Sequence, residues 1–139
     1  MTERLLVIGG DAAGMSAASR GKRRRPSLDV VAFERGEHTS FADCGIPYVL
    51  GGDIASTEEL VARSPAEHAE HGIDVKMRTE AIELDTAGSR VKVRELDTGT
   101  ERWEAYDRLM VAAVATRRCP PSTGRRPPSV RCRCRAPGP

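Results

Sequence analysis

Apolar residues recur along this chain with two different periods, and the change between them divides it. Arg4-Leu5-Leu6-Val7-Ile8 is a short, nearly continuous apolar run and reads as a buried strand. Gly9-Gly10-Asp11-Ala12-Ala13-Gly14 follows at once. Met15 to Arg25 then has the character of a helix, with apolar or small residues at Ala13, Met15, Ala17 and Ala18. That helix ends in Lys22-Arg23-Arg24-Arg25 ahead of Pro26. Cations there complement the helix dipole and proline stops the helix, which accounts for the basic run without a nuclear-type or phosphate-binding role. Asp29 to Phe33 predicts a second strand, closed by Glu34, and Arg35 to Ser40 a polar loop. Ser56-Thr57-Glu58-Glu59 and Ser64-Pro65-Ala66-Glu67 each predict a capping box opening a short helix, the second running to His71 and ending at Gly72. From Ile73 the period becomes two. Ile73, Val75 and Met77 alternate with polar residues, and Ala81–Leu84, Val91–Val93 and Trp103 continue as strands across turns at Thr86–Ser89 and Asp97–Thr100. These predict one strand of a main sheet followed by a small antiparallel meander. Tyr106 to Ala112 then returns the chain to the main sheet.

The first thirty-four residues carry the chemistry of that layout. Strand, glycine turn, helix, strand and acid, in that order, make a dinucleotide-binding βαβ unit. Gly9 permits a sharp turn off the strand, and small residues at Gly10, Ala12 and Ala13 admit a pyrophosphate. Gly14 lets the helix pack close to the sheet. The helix start offers unpaired N–H groups and a positive dipole end to phosphates. Glu34 stands near the spacing at which a carboxylate accepts from ribose hydroxyls. In a G-x-G-x-x-G reading from Gly9 the middle glycine is Asp11, whose charge must turn away from a pyrophosphate. The predicted fold class is therefore α/β, a Rossmann-like unit with an antiparallel β-meander.

Composition adds one feature. Of the 139 residues 39% are hydrophobic and 30% charged, ordinary for a globular chain, and no apolar run approaches a membrane span. The N-terminus is too short in apolar residues for a signal peptide, and the chain is expected to be cytoplasmic. Residues 117–139 hold seven of the 22 basic residues and none of the 20 acids, so residues 1–116 carry 15 basic against 20 acidic, a net of −5. A mildly acidic body points away from nucleic acid as partner. The segment 117–139 is dominated by Arg, Pro, Gly, Ala and Cys and lacks periodicity, so it is expected to be disordered. That composition is also what a shifted reading frame in GC-rich DNA produces. The boundary is placed at 116, with a partial nucleotide-binding domain before it and the tail after it. Cys132-x-Cys134 has no further ligands at zinc-like spacing.

Among the remaining candidates, Cys44 stands out. Three of the four cysteines lie at 119 or beyond, so Cys44 has no neighbour with which to pair. It is followed by Gly45 and a helical turn whose N–H groups favour a thiolate. A solitary thiolate cycles through a mixed disulfide, a persulfide or a sulfenic acid. His68 and His71, three apart, predict a solvated helix face rather than a metal site. His38 is placed in the loop near Cys44, and Tyr48 and Trp103 are read as packing residues.

Together, Val7-Ile8-Gly9-Gly10-Asp11-Ala12-Ala13-Gly14-Met15-Ser16-Ala17-Ala18 and Thr39-Ser40-Phe41-Ala42-Asp43-Cys44-Gly45-Ile46-Pro47-Tyr48 resemble the FAD-dependent pyridine nucleotide–disulfide oxidoreductases. Within that family they are similar to the single-cysteine branch of coenzyme A disulfide reductases, NADH oxidases and peroxidases, and persulfide reductases. The resemblance covers about residues 3–112 and implies an N-terminal fragment, an incomplete FAD domain without the NAD(P)H and dimerisation domains through which family members form homodimers. It implies FAD as cofactor, NAD(P)H as co-substrate and a small thiol or disulfide such as coenzyme A disulfide as substrate. Gly9, Gly10, Ala13 and Gly14 would then face the FAD pyrophosphate, Glu34 the adenosine ribose, and Ser40 and Cys44 the isoalloxazine, with Cys44 catalytic. Asp43 takes a place the family often fills with asparagine. Ala112-Ala113-Val114-Ala115-Thr116-Arg117 stands where the family has an Ala-Thr-Gly-Ala-like turn. That departure leaves two further readings open, a non-catalytic FAD- or ADP-binding module and a gene remnant without function.

Overall fold

The computed structural model describes residues 2–113 of the chain. The 117–139 tail and the boundary at 116 lie outside those residues. Four parallel strands form the main sheet: β1 (Arg4–Ile8), β2 (Asp29–Phe33), β3 (Ile73–Lys76) and β7 (Arg108–Val111), in the spatial order β3-β2-β1-β7. Leu6 pairs with Val31 on one side and Leu109 on the other, so β1 is interior to the sheet. A second, antiparallel sheet comprises β4 (Thr79–Asp85), β5 (Arg90–Glu95) and β6 (Glu101–Ala105) in sequential order, the predicted meander. Ala81 to Glu83 carries a register shift in β4.

Both faces of the main sheet are covered, which is why β1 and β2 read as apolar runs rather than alternations. Val7, Val30, Ala32 and Ile73 point to one face and pack with Met15 and Ala18 of helix α1 (Ala12–Arg24) and with Leu28. Leu6, Val31 and Phe33 point to the other and meet Val91 and Val93 of the meander. The result is three layers, helix, parallel sheet and meander, around two apolar clusters.

The helix starts earlier than the sequence pattern predicts, at Ala12 rather than Met15. Met15 N–H donates to the Asp11 carbonyl at 2.9 Å, so the first turn lies inside the glycine motif. Two short helices follow, α2 (Ile46–Gly51) and α3 (Pro65–Glu70). The Ser64–Glu67 capping box forms as predicted, and α3 is capped at His71 ahead of Gly72, whose φ is +73°. The predicted Ser56–Glu59 box does not form. Thr57–Leu60 is a 3-10 segment in which Ser56 caps no backbone N–H, because the chain turns out again at Val61 to bridge Phe41.

Candidate functional site

The glycine turn is shaped by close approaches that a side chain would block. Gly9 has φ +103°, and a Cβ there would lie 2.6 Å from the Ala112 carbonyl oxygen at the end of β7. At Gly14 a Cβ would overlap the Gly9 carbonyl oxygen, so this residue serves the packing of α1 on the turn. With Asp11 as N-cap, the N–H groups of Ala12, Ala13 and Gly14 have no intrahelical acceptor. Asp11 does not cap them with its side chain. Its Oδ1 accepts instead from Phe41 N–H at 3.0 Å, so the charge that stands at the middle-glycine place is turned toward the loop carrying Cys44.

Glu34 closes the other side of the turn. Its Oε2 accepts from Gly10 N–H at 2.7 Å and its Oε1 from Gly36 N–H at 2.6 Å. The two donors fix the carboxylate plane and leave lone pairs for hydroxyl donors. A Cβ at Gly10 would stand 2.8 Å from the Glu34 Cβ, so glycine there makes room for the acid. Glu34, Gly9, Asp11, Thr79 and Ala112 line a cleft of about 340 Å³ at the C-terminal ends of β1, β2 and β7. The parts an adenosine diphosphate requires are thus present, orphan N–H groups at the start of a long helix and an oriented carboxylate.

A second, larger cavity of about 770 Å³ lies beyond Asp11, and here the structure gathers residues the sequence left scattered. Cys44 and Ser40 line it with Ser16, Arg20 and Arg23 of α1 and with Arg63. Cys44 is free and exposed, in a 3-10 turn spanning Asp43–Gly45 that leads into α2. A Cβ at Gly45 would run into Leu60, so the residue after the cysteine is held close to the 3-10 segment. The loop before Cys44 is tied to the glycine turn. Thr39, buried, donates from Oγ1 to the Gly10 carbonyl at 2.5 Å, and Ser40 N–H donates to the same oxygen at 3.0 Å. Ser40 sits at φ +53°, a left-handed conformation unusual for serine.

Three readings of individual residues are corrected. His68 is not on a solvated face: it is 1% exposed, and its Nε2 lies 2.9 Å from Ser40 Oγ. Only His71 of that pair is exposed. Tyr48 does not pack inside, being 57% exposed on α2, and Trp103 stays partly exposed with the Arg90 guanidinium 4.6 Å above its ring. His38 lies in the loop, as read, where it stacks on Phe41, and it is not among the residues lining the Cys44 cavity. The sequence reading missed Thr39, Arg20, Arg63 and the cavity role of Arg23. A signal for part of this existed: Ser16, Ser19, Arg20 and Arg23 form a polar stripe at helical spacing away from the apolar face. No group of three or more metal-ligating side chains occurs among the described residues. No helix there is long and apolar enough to cross a membrane.

A three-layer fold with a glycine turn off β1, beside a cavity that exposes a thiol, is of the Rossmann-like class. The chain belongs to the pyridine nucleotide-disulphide oxidoreductase family, whose model matches residues 3–133, a span running past residue 112 where the motif resemblance stops. FAD is the cofactor of this family, with NAD(P)H as co-substrate. The chain is 46% identical over 121 residues to the NAD(P)H sulfur oxidoreductase (CoA-dependent) of Pyrococcus abyssi, covering 86% of this chain and 26% of that protein. It is 40% identical over 125 residues to the NAD(P)H coenzyme A polysulfide/persulfide reductase of Pyrococcus horikoshii, covering 89% of this chain and 27% of that protein. Its fold is similar to that of reduced CoADR-RHD of Bacillus anthracis, with a TM-score of 0.81, 28% identity, and coverage of 86% of this chain and 22% of that one. The chain therefore spans about a quarter of the length of the relatives it matches.

Proposed function

We propose that the chain supplies the adenosine-diphosphate half of an FAD site and the single redox cysteine of an NAD(P)H-dependent oxidoreductase acting on a coenzyme A-linked disulfide or persulfide. The observation that carries this reading is the cavity in which Cys44 shares walls with Arg20, Arg23 and Arg63. A cavity lined by a thiol and three arginines, with Asp11 and Asp43 as its acids, suits a small thiol that carries phosphates, and coenzyme A has both. The names of the two Pyrococcus relatives support the same class.

In this reading Gly9 and Gly10 bring the backbone up to the FAD pyrophosphate, Ala13 and Gly14 offer N–H groups to it, and Glu34 accepts from the adenosine ribose. Ser40 and Cys44 hold the end of the site where sulfur reacts. The Cys44 thiolate attacks one sulfur of the substrate disulfide, the substrate S–S bond breaks, and one coenzyme A thiolate leaves. The product is a mixed disulfide between Cys44 and the second coenzyme A. FAD, held by Gly9, Gly10, Ala13, Gly14 and Glu34, would supply the two electrons from NAD(P)H that reduce this mixed disulfide to the Cys44 thiolate and a released coenzyme A thiol. Arg20, Arg23 and Arg63 hold the phosphates and raise the local concentration of an anionic substrate.

The first half-reaction is open to test on the chain itself. Incubation with coenzyme A disulfide is expected to add one coenzyme A to Cys44, read by peptide mass spectrometry, with none at that position in Cys44→Ser. Arg20→Gln combined with Arg23→Gln is expected to slow this addition by about tenfold at low salt. The addition of 2-hydroxyethyl disulfide, which is uncharged, should keep its rate. Equal slowing of both reagents, or no adduct at Cys44, would count against the reading.

A further inference from the structure

His68 is the one buried imidazole of the described residues, and the reaction outlined above does not use it. It stands on α3, 28 residues from Ser40 in sequence, and its ring reaches the wall of the Cys44 cavity. Nε2 is paired with Ser40 Oγ at 2.9 Å, while Nδ1 is buried and has no hydrogen-bond partner among the described residues.

That asymmetry selects a protonation state. An imidazolium would carry two N–H donors with one acceptor between them, leaving a charged donor buried and unpaired. Burial holds the His68 pKa below the usual imidazole value, and Arg63 and His71 act in the same direction while Glu67 opposes them. The ring is therefore neutral near pH 7. Of the two neutral tautomers, the one protonated at Nδ1 would bury an N–H with no acceptor, a rare and costly arrangement. The one protonated at Nε2 leaves only a lone pair unpaired and points its N–H at Ser40.

We infer that His68 is a positioning residue: as the Nε2–H tautomer it donates to Ser40 Oγ, and so leaves the Ser40 hydroxyl hydrogen for an anionic oxygen or sulfur of the thiol substrate in the Cys44 cavity. A serine alone would direct its hydrogen to whichever acceptor lay nearest. A ring that donates to it removes that choice and makes the hydroxyl a donor toward the cavity. The backbone around Ser40 fits such a task. Its φ of +53° is held by its N–H on the Gly10 carbonyl and by Ala62 N–H on its own carbonyl, both at 3.0 Å. Backbone strain of this kind persists where surrounding contacts over-determine it.

The inference rests on the coenzyme A reading, and two measurements on the full chain separate the failure of either. Long-range proton–nitrogen correlation of the imidazole rings at pH 7 should show His68 with a protonated Nε2 and a bare Nδ1. Protonation at Nδ1, or at both nitrogens, would overturn the inference whatever the chain binds. Coenzyme A binding by calorimetry is the second measurement. Ser40→Ala is expected to weaken it by about tenfold, as for loss of a hydrogen bond to a charged group. His68→Phe, which keeps a ring in the buried place, should weaken it by a similar factor, and the double variant no further. His68→Gln, whose amide donor falls near the place of Nε2, should restore most of the affinity. Losses that multiply in the double variant, or a His68→Phe chain that binds as tightly as the parent, would refute the positioning role. If the parent chain binds no coenzyme A while the ring shows the Nε2–H tautomer, the substrate reading fails and the tautomer assignment stands.

Discussion

At the scale of single residues, the informative positions are those where a polar side chain is committed before any ligand arrives. Glu34 is held by two backbone donors, Asp11 by one, and Ser40 by a buried ring. His68 also has a consequence for stability that follows from burial. Its folded-state pKa lies below the unfolded value of about 6.5. Between the two pKa values the unfolded chain binds more protons than the folded one, so stability rises with pH through that window. Read downward, stability is lost as pH falls below about 6.5, and the loss is complete once pH has passed the folded-state pKa. Urea denaturation at pH 7.5 and at pH 5 should therefore show a lower midpoint at pH 5, and His68→Phe should reduce that difference. The carboxylates held low by their partners, Glu67 by Ser64 N–H and Asp85 by Gly88 N–H, act in a separate window. Their contribution is present above the unfolded carboxyl range of about 4 and disappears below it.

At the scale of elements, α3 shows how a six-residue helix becomes a reliable platform. So short a helix is not stable alone. Pro65 sets the first helical φ, Ser64 Oγ accepts from Glu67 N–H at 3.3 Å, and Glu67 Oε2 accepts from Ser64 N–H at 2.7 Å. The far end closes on His71 and Gly72, and the chain enters β3. Because His68 lies within this helix, the cap at Ser64 secures the ring that touches Ser40. Ser64→Ala is expected to cost about 1 kcal/mol, measured by urea denaturation, as for other lost N-caps. The same variant should loosen the Ser40 amide, seen as faster hydrogen exchange there than at Leu6 in the sheet centre. An unchanged midpoint together with unchanged exchange at Ser40 would show that α3 is held by packing alone.

On the scale of the whole molecule, the parallel sheet is the partition between two cores, and its side chains alternate between them. Phe33, 2% exposed, belongs to the meander side, while its neighbour Ala32 belongs to the α1 side. Phe33→Ala is expected to remove about 3 to 5 kcal/mol. That is a large share of the roughly 5 to 15 kcal/mol by which domains are stable. Circular dichroism melting should show loss of cooperative unfolding or a much lower midpoint. A loss below 1 kcal/mol would mean that the meander does not share a cooperative core with the sheet.

How much of this was legible in the sequence depends on the range of the forces involved. Strand β1, helix α1, strand β2 and the Glu34 end of the unit follow from local pattern, because a continuous apolar run, a glycine turn and a helical stripe are properties of neighbouring residues. The Ser64 cap and the meander turns were equally local. The meeting of Glu34 with the glycine turn was foreseeable as well, since one βαβ unit brings them together, whereas Thr79 and Ala112 join that cleft only through the tertiary fold. Only tertiary structure decided the Cys44 cavity, where α1, the Ser40–Cys44 loop and Arg63 meet across stretches separated by up to about fifty residues. The direction of Asp11 was also decided there, by the N–H of a residue 30 positions away. His68 is the sharpest case. A histidine at the middle of a short polar helix has the local signature of a solvated side chain, and burial is decided by what packs over it. The Ser40 hydroxyl that meets its ring stands 28 residues away, outside a local window of sequence around His68.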